Sequence, residues 1–195
     1  MGKKLSPTFI VGIGGSAGAL NAYKALLDAL PSNTGMAFVI ISHMNPDASS
    51  YLANILSKHT KMTVDVAAEA MPIKQNHVYV SPPNSDIRIK NNFFNVVSPR
   101  TKKNGEIDLF FTSLAEAMGA HAVGIIFSGY DGDGTDGCKH IKAKGGSTFA
   151  QDNSAEVNHM PASAEASGCI DFVLPIDKIS AKLQKLAAAI QQKMS

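Results

Sequence analysis

A chain of 195 residues with 45% hydrophobic and 17% charged residues has the balance of an ordinary globular domain, which excludes an intrinsically disordered chain. The net charge of +2 is small. The densest basic cluster, Arg100, Lys102 and Lys103, contains no aromatic residue, so we interpret it as a solvated loop and do not expect nucleic acid as a partner. The two cysteines form no CxxC pair and favour buried free thiols in the cytoplasm, and no apolar run approaches the roughly 20 residues of a membrane span.

Strand and helix patterns alternate through the first third of the chain. The predicted strands are short apolar runs, and the predicted helices carry apolar residues at helical spacing. In chain order these are a strand at Phe9–Val11, a helix over Leu20–Leu30, a strand at Met36–Ile41, a helix over Asp47–Lys58 and a strand at Thr63–Val66.

The middle of the chain breaks this alternation. Three β-rich segments, Val78–Val80, Ile87–Lys90 and Phe93–Val97, are separated by Pro82-Pro83 and Asn91-Asn92. Two asparagines suit a two-residue hairpin turn, because asparagine tolerates positive φ. We therefore predict a small antiparallel appendage here.

Alternation then resumes to the end of the chain. We predict a helix over Ile107–Met118, a strand at Val123–Phe127, a helix over Asp136–Lys144, a strand at Thr148–Ala150, a helix near Ser163–Ser167, a strand at Phe172–Leu174 and a helix from Ile176. The whole pattern predicts one α/β domain over residues 1–195, with a doubly wound, mostly parallel sheet flanked by helices.

Ligands of such folds lie at the carboxyl ends of the strands, so the loops at those ends are the candidate site. Three predicted loops leave buried strands there, at Gly12–Gly18, Ser42–Pro46 and Ser128–Gly134. The first carries Ser16, the second His43, and the third Asp131 and Asp133.

The first loop matches two templates. Gly12, Gly14 and Ala17 fit the G-x-G-x-x-A pattern of a dinucleotide site, but the second strand ends in Ser42-His43 and offers no acid for a ribose. Gly14, Ser16 and Gly18 fit G-x-S-x-G, in which small residues expose a serine nucleophile on a sharp turn. We favour the nucleophile over nucleotide binding.

A serine nucleophile requires a base and a carboxylate that orients the base. His43 is the candidate base, and either Asp131 or Asp133 can supply the carboxylate. The aspartate-rich loop is not an EF-hand, because the sixth and twelfth positions from Asp131 are Asp136 and Lys142, and the remaining histidines and cysteines lack zinc spacing. We therefore expect neither a metal nor a cofactor.

Several longer stretches resemble the catalytic domain of CheB, the chemotaxis protein-glutamate methylesterase. They include GIGGSAGAL, VIISHMNP, HVYVSPP, the segment from IDLFF to GDGTDG, STFAQD, MPASA and DFVLP, and they span nearly the whole chain. HTKM, PPN and DFVLP look closest to the methylesterase domains fused to a CheR-type methyltransferase.

The resemblance implies an enzyme that hydrolyses glutamate methyl esters on chemoreceptor cytoplasmic domains and also deamidates certain glutamines. The family's serine and histidine fall on Ser16 and His43, and its G-x-x-x-D-G aspartate falls on Asp133. The backbone N–H groups of Ala17 and Tyr130 are then the candidate oxyanion donors. The implied partners are a methylated chemoreceptor and a CheR-type methyltransferase or a histidine kinase in the same chain or operon.

The chain departs from the family pattern in ways that bear on substrate choice. Its first strand begins near the start, so we expect no receiver domain. Tyr130 and His159 replace the family's common residues, and the loop at Arg100–Gly105 lacks its usual basic run. The alternative function that these departures leave open is a non-catalytic module that docks on a receptor or a kinase.

Overall fold

The computed structural model describes residues 6–43, 49–101 and 103–194. A parallel seven-stranded sheet runs through its centre in the order β3-β4-β2-β1-β7-β8-β9, beside a two-stranded antiparallel sheet, β5-β6. The strands are β1 (Ile10–Gly15), β2 (Ala37–Ser42), β3 (Thr63–Val66), β4 (His77–Val80), β5 (Asp86–Lys90), β6 (Phe93–Val97), β7 (Ala122–Ile126), β8 (Ser147–Gln151) and β9 (Phe172–Leu174).

Helices cover both faces of this sheet, which confirms the doubly wound α/β prediction. The helices are α1 (Ala19–Ala29), α2 (Ser49–Leu56), α3 (Glu106–Met118), α4 (Thr135–Ala143), α5 (His159–Ala166) and α6 (Ile176–Met194). One core joins the sheet to α1, α2 and α6, and the other joins it to α3, α4, α5 and the hairpin. No helix among the described ranges is long and apolar enough to cross a membrane.

The hairpin of β5 and β6 forms as predicted. Asn91 and Asn92 occupy its turn with φ angles of 53° and 66°, a conformation that asparagine adopts at low cost. The prediction that the segment Val78–Val80 belongs to this appendage is wrong. The strand there, His77–Val80, is β4 of the main sheet and pairs in parallel with β2 and β3. Its brevity and the following prolines obscured a continuous apolar run, Val78 to Val80, that is fully buried.

The glycines of β1 correct a second prediction. The strand continues to Gly15, so Gly12, Gly14 and Gly15 lie in the sheet and not in a turn. A Cβ atom on Gly12 would lie 2.7 Å from a ring carbon of Phe111, and one on Gly14 would lie 2.5 Å from Cγ2 of Ile107. These two glycines therefore let α3 approach the sheet closely.

Because α3 packs so closely on the sheet, adding a single methyl group to a glycine of β1 should destabilise the folded protein. Gly14→Ala should lower the free energy of unfolding by about 1–3 kcal/mol, because the buried Ile107 side chain has little space into which to move. Urea unfolding followed by far-UV circular dichroism measures this cost. In an Ile107→Ala background the same substitution should cost much less, and an equal cost in both backgrounds would contradict the assigned contact.

Candidate active site

Three adjacent strands at the centre of the sheet deliver the candidate residues to one edge. β1 lies between β2 and β7, and the three strands are parallel and in register. Ser16 follows β1, His43 follows β2, and Asp133 lies in the loop between β7 and α4. The chain reverses its winding direction at β1, which is the position where doubly wound folds bind ligands.

Two hydrogen bonds with Ser128 hold the short turn that carries Ser16. The Ser16 N–H donates to the Ser128 carbonyl at 2.9 Å, and the Ser128 hydroxyl donates to the Ala17 carbonyl at 2.7 Å. Gly18 has a φ of 76°, and a Cβ there would lie 2.7 Å from the Ser128 hydroxyl oxygen. Gly18 is thus the glycine that this turn requires, and α1 begins directly after it at Ala19.

His43 forms hydrogen bonds or ion pairs with three carboxylates. Its Nε2 lies 2.7 Å from Oδ2 of Asp133 and 3.4 Å from Oε2 of Glu106, and its Nδ1 lies 3.2 Å from Oδ2 of Asp131. Burial acts to lower the pKa of His43, but the hydrogen bond to Asp133 and the three negative charges outweigh burial and raise that pKa above its usual value.

Asp133 is fixed by the first turn of α3. Its side chain is 1% exposed. Its Oδ2 accepts the Ile107 N–H at 3.0 Å and its Oδ1 accepts the Asp108 N–H at 2.9 Å. Burial acts to raise the pKa of Asp133, but hydrogen bonds from His43 and from these two N–H groups hold that pKa below its usual value. Asp133 is therefore a fixed negative charge beside His43.

Ser16 and His43 line the same open cleft, which has a volume of about 430 Å³. Leu20, Tyr51 and Ile55 give this cleft an apolar wall. Ser16 is half-buried, and its hydroxyl makes no hydrogen bond within the described residues. The Ala17 and Tyr130 N–H groups also donate no hydrogen bond there.

One contact of His43, with Glu106, and the ion pair of Glu106 with Arg100 were missed in the sequence. Glu106 is the first residue of α3, where an acidic side chain is common for purely helical reasons, so its position gave no signal. Arg100 forms an ion pair with Glu106 and is part-buried, which corrects the interpretation of Arg100 as part of a solvated loop. Met44–Pro46, Asp47 and Lys102 lie outside the described residues.

His43, Glu106 and Asp133 each have one nitrogen or oxygen atom within 4.8 Å of those of the other two. In this structure the atoms already have partners, since Arg100 pairs with Glu106 and the α3 N–H groups bond Asp133. Glu106 and Asp133 are therefore two carboxylates that face one histidine ring.

Asp108 lies next to Asp133, and ionisation of its carboxyl group destabilises the folded protein. Burial and the charge of Asp133 raise the pKa of Asp108 to about 6, although its Oδ1 accepts the Gly137 N–H at 2.8 Å. A carboxyl group whose pKa is raised in the folded protein lowers stability as the pH rises from its unfolded pKa to its folded pKa.

Asp108→Asn should therefore be more stable than the wild type above pH 6 and show no such advantage below pH 4. Asparagine keeps an acceptor for the Gly137 N–H and removes the charge. Thermal unfolding at several pH values measures the difference between the two proteins. Asp177→Asn, at an exposed carboxylate of α6, is the control, and a pH-independent difference for Asp108→Asn would contradict the assignment.

One edge of the parallel sheet carries a serine on a tight turn, a histidine hydrogen-bonded to a carboxylate, and an apolar cleft. This is the layout of a hydrolase. Comparison with known proteins identifies the family. The CheB methylesterase family profile matches residues 11–183. The crystal structure of the Thermotoga maritima CheB methylesterase catalytic domain superposes with a TM-score of 0.85 at 29% identity, covering 91% of this chain and 98% of that one.

Two sequence relatives agree with this result. A Leptospira interrogans protein described as a "putative protein-glutamate methylesterase/protein-glutamine glutaminase" is 34% identical over 172 residues, which are 86% of this chain and 89% of that protein. A Pseudomonas fluorescens protein-glutamate methylesterase/protein-glutamine glutaminase is 33% identical over 92% of this chain, which spans 54% of that relative. The chain belongs to the CheB methylesterase family, and it is an enzyme of the esterase class.

Proposed function

We propose that this chain hydrolyses glutamate methyl esters on the cytoplasmic domain of a chemoreceptor or a related sensory protein, in a chemotaxis-like signalling system. The observation that carries the proposal is the 2.7 Å contact between His43 and the buried Asp133, beside a cleft that also contains Ser16. The names of the Leptospira and Pseudomonas relatives support the substrate. Such a substrate places the reaction in the cytoplasm.

Ser16 is the proposed nucleophile and His43 its base. Asp133 bonds Nε2, so Nδ1 is the nitrogen that takes the Ser16 proton. The Ser16 Oγ then forms a bond to the ester carbonyl carbon. His43 returns the proton to the methoxy oxygen as the C–O bond breaks, and methanol leaves. A water molecule, deprotonated by His43, attacks the acyl-enzyme, and His43 returns that proton to Ser16 as the bond to the acyl group breaks. The glutamic acid side chain is released and gives its remaining carboxyl proton to solvent water.

The Ala17 and Tyr130 N–H groups are the proposed donors to the carbonyl oxygen as it becomes negative. Removal of one such donor typically lowers the rate about 10²- to 10³-fold. Every proton in this sequence comes from Ser16, His43 or water, so the proposed steps require no cofactor. The same attack on a glutamine amide releases ammonia, which accounts for the glutaminase activity in the relatives' names.

The surroundings of Ser16 suit a helical protein substrate. Leu20 and Tyr51 are exposed at the cleft, and Tyr130 is 69% exposed on the neighbouring loop. Exposed apolar side chains around a reactive residue fit the apolar face of a receptor helix. A CheR-type methyltransferase, which forms the ester that this enzyme removes, or a histidine kinase is the proposed partner in the same chain or operon.

Methanol release from a methylated receptor fragment tests the function directly. The purified chain is incubated with a chemoreceptor cytoplasmic fragment carrying labelled glutamate methyl esters, and volatile label is counted over time. We expect catalytic release, with many methanol molecules per protein. Binding of the fragment without methanol release would contradict the proposal and favour a docking module.

A further inference from the structure

Both nitrogens of the His43 ring face a carboxylate oxygen. Asp133 lies 2.7 Å from Nε2, and Asp131 lies 3.2 Å from Nδ1. The Asp133 contact is a hydrogen bond, whereas the Asp131 contact is an ion pair by distance. Negative charge this close to both nitrogens favours the ring with a proton on each of them. In that form His43 has no lone pair with which to accept the Ser16 proton. The described arrangement is therefore a resting state of the proposed base.

The two aspartates differ in how firmly they are held. Asp133 is 1% exposed and accepts two N–H groups from α3. Asp131 is 33% exposed, and its Oδ1 accepts one long hydrogen bond, of 3.2 Å, from the Asp133 N–H. Since water can replace the contact of Asp131 with His43, Asp131 is the carboxylate that can leave the ring.

Other charged groups around His43 do not perform this role. Within the described ranges, Glu106 from α3 faces the same Nε2 as Asp133 and is paired with Arg100. Asp131 thus supplies the one carboxylate among the described residues that contacts Nδ1, the nitrogen required by Ser16.

We propose that Asp131 is a positioning residue that occupies His43 Nδ1 in the resting enzyme and releases that nitrogen to Ser16 when substrate binds. This inference rests on the proposed function and deepens it. The released state has His43 neutral, with its single proton on Nε2 toward Asp133 and a lone pair on Nδ1. The proton that leaves Nδ1 passes to solvent water, which can reach the exposed side of Asp131.

Asp131→Asn separates the hydrogen bond that this side chain accepts from the negative charge that it places beside His43. Asparagine keeps the Oδ1 acceptor for the Asp133 N–H and removes the charge beside Nδ1. The negative charge of Asp131 raises the pKa of His43, so its removal should lower that pKa. A general base acts in its neutral form, and kcat/KM should therefore begin to rise at a lower pH in the variant.

The experiment compares the pH profiles of kcat/KM for methanol release. We expect Asp131→Asn to shift the acid limb to lower pH, to raise kcat/KM several-fold below the wild-type midpoint, and to match the wild type at the alkaline plateau. Asp136→Asn is the matched control, because Asp136 lies nearby at the start of α4, is 71% exposed and pairs with Lys139. Its profile should follow the wild type.

An NMR titration of the histidine rings gives a readout independent of turnover. The His43 signal, assigned by its loss in His43→Gln, should titrate at a lower pH in Asp131→Asn than in the wild type. An unchanged midpoint would overturn the inference, and so would a kcat/KM lowered at every pH, because Asp131 would then assist the reaction. Absence of methanol release by the wild type would contradict the proposed function, while the titration would still test the contact.

Discussion

Ser16→Ala is expected to lower kcat for methanol release by about 10⁴- to 10⁶-fold, the range found when a serine nucleophile is removed from a triad. Without the Ser16 hydroxyl no acyl-enzyme can form, and the cleft retains only substrate binding and the oxyanion donors. The fold should persist, because the Ser16 hydroxyl makes no hydrogen bond within the described residues. Single-turnover assays on labelled receptor, with circular dichroism on the same samples, measure both quantities.

Ser42→Ala is the matched control for this experiment. Ser42 ends β2 and lines the same cleft, but the proposed mechanism gives it no proton to transfer. Its loss should change kcat by less than about tenfold. A Ser16→Ala protein with a rate within about tenfold of the wild type would place the nucleophile elsewhere.

Asp133→Asn is expected to lower kcat by about 10⁴-fold. The Asp133 carboxylate accepts a hydrogen bond from the protonated Nε2 and stabilises the charged imidazolium, whereas an asparagine amide can donate to Nε2 and leave the ring proton on Nδ1. In that tautomer Nδ1 cannot accept the proton of Ser16. The NH2 group of asparagine would also lie against the N–H of Ile107 or Asp108, so that two donors face each other. The free energy of unfolding should therefore fall as well.

The contrast between Asp133→Asn and Asp131→Asn distinguishes the two carboxylates of the loop. Both contact His43, but on opposite nitrogens. A large loss of kcat in Asp131→Asn, with little loss in Asp133→Asn, would show that their roles are exchanged. Rates are measured at the alkaline plateau, so that differences in the pKa of His43 do not enter the comparison.

The layout of the site was largely predictable from the sequence. Ser16, His43 and Asp133 each follow a buried strand, and the carboxyl ends of parallel strands meet at one edge. The three predicted strands prove to be β1, β2 and β7, adjacent at the centre of the sheet. The choice between Asp131 and Asp133 depended on the family resemblance, because spacing along a loop does not show which side chain is directed inward.

The remaining details depend on tertiary contacts that leave little trace in the sequence. Gly12 and Gly14 resemble turn residues, but their lack of a side chain accommodates Phe111 and Ile107, about 100 residues away in the chain. Glu106 reaches the site because α3 begins at the same edge of the sheet, and Arg100, from the segment before α3, pairs with Glu106 there. Local periodicity cannot reveal such contacts, since they arise between elements distant in the sequence.

Covalent labelling with a fluorophosphonate, followed by peptide mass spectrometry, tests the central claim most directly. The reagent phosphonylates a serine whose proton is removed by a neighbouring base. We predict one stoichiometric adduct on Ser16, with labelling abolished in Ser16→Ala and greatly slowed in His43→Gln. An adduct on another residue, or an active enzyme that stays unlabelled at Ser16, would contradict the assignment of Ser16 as the nucleophile activated by His43 and Asp133.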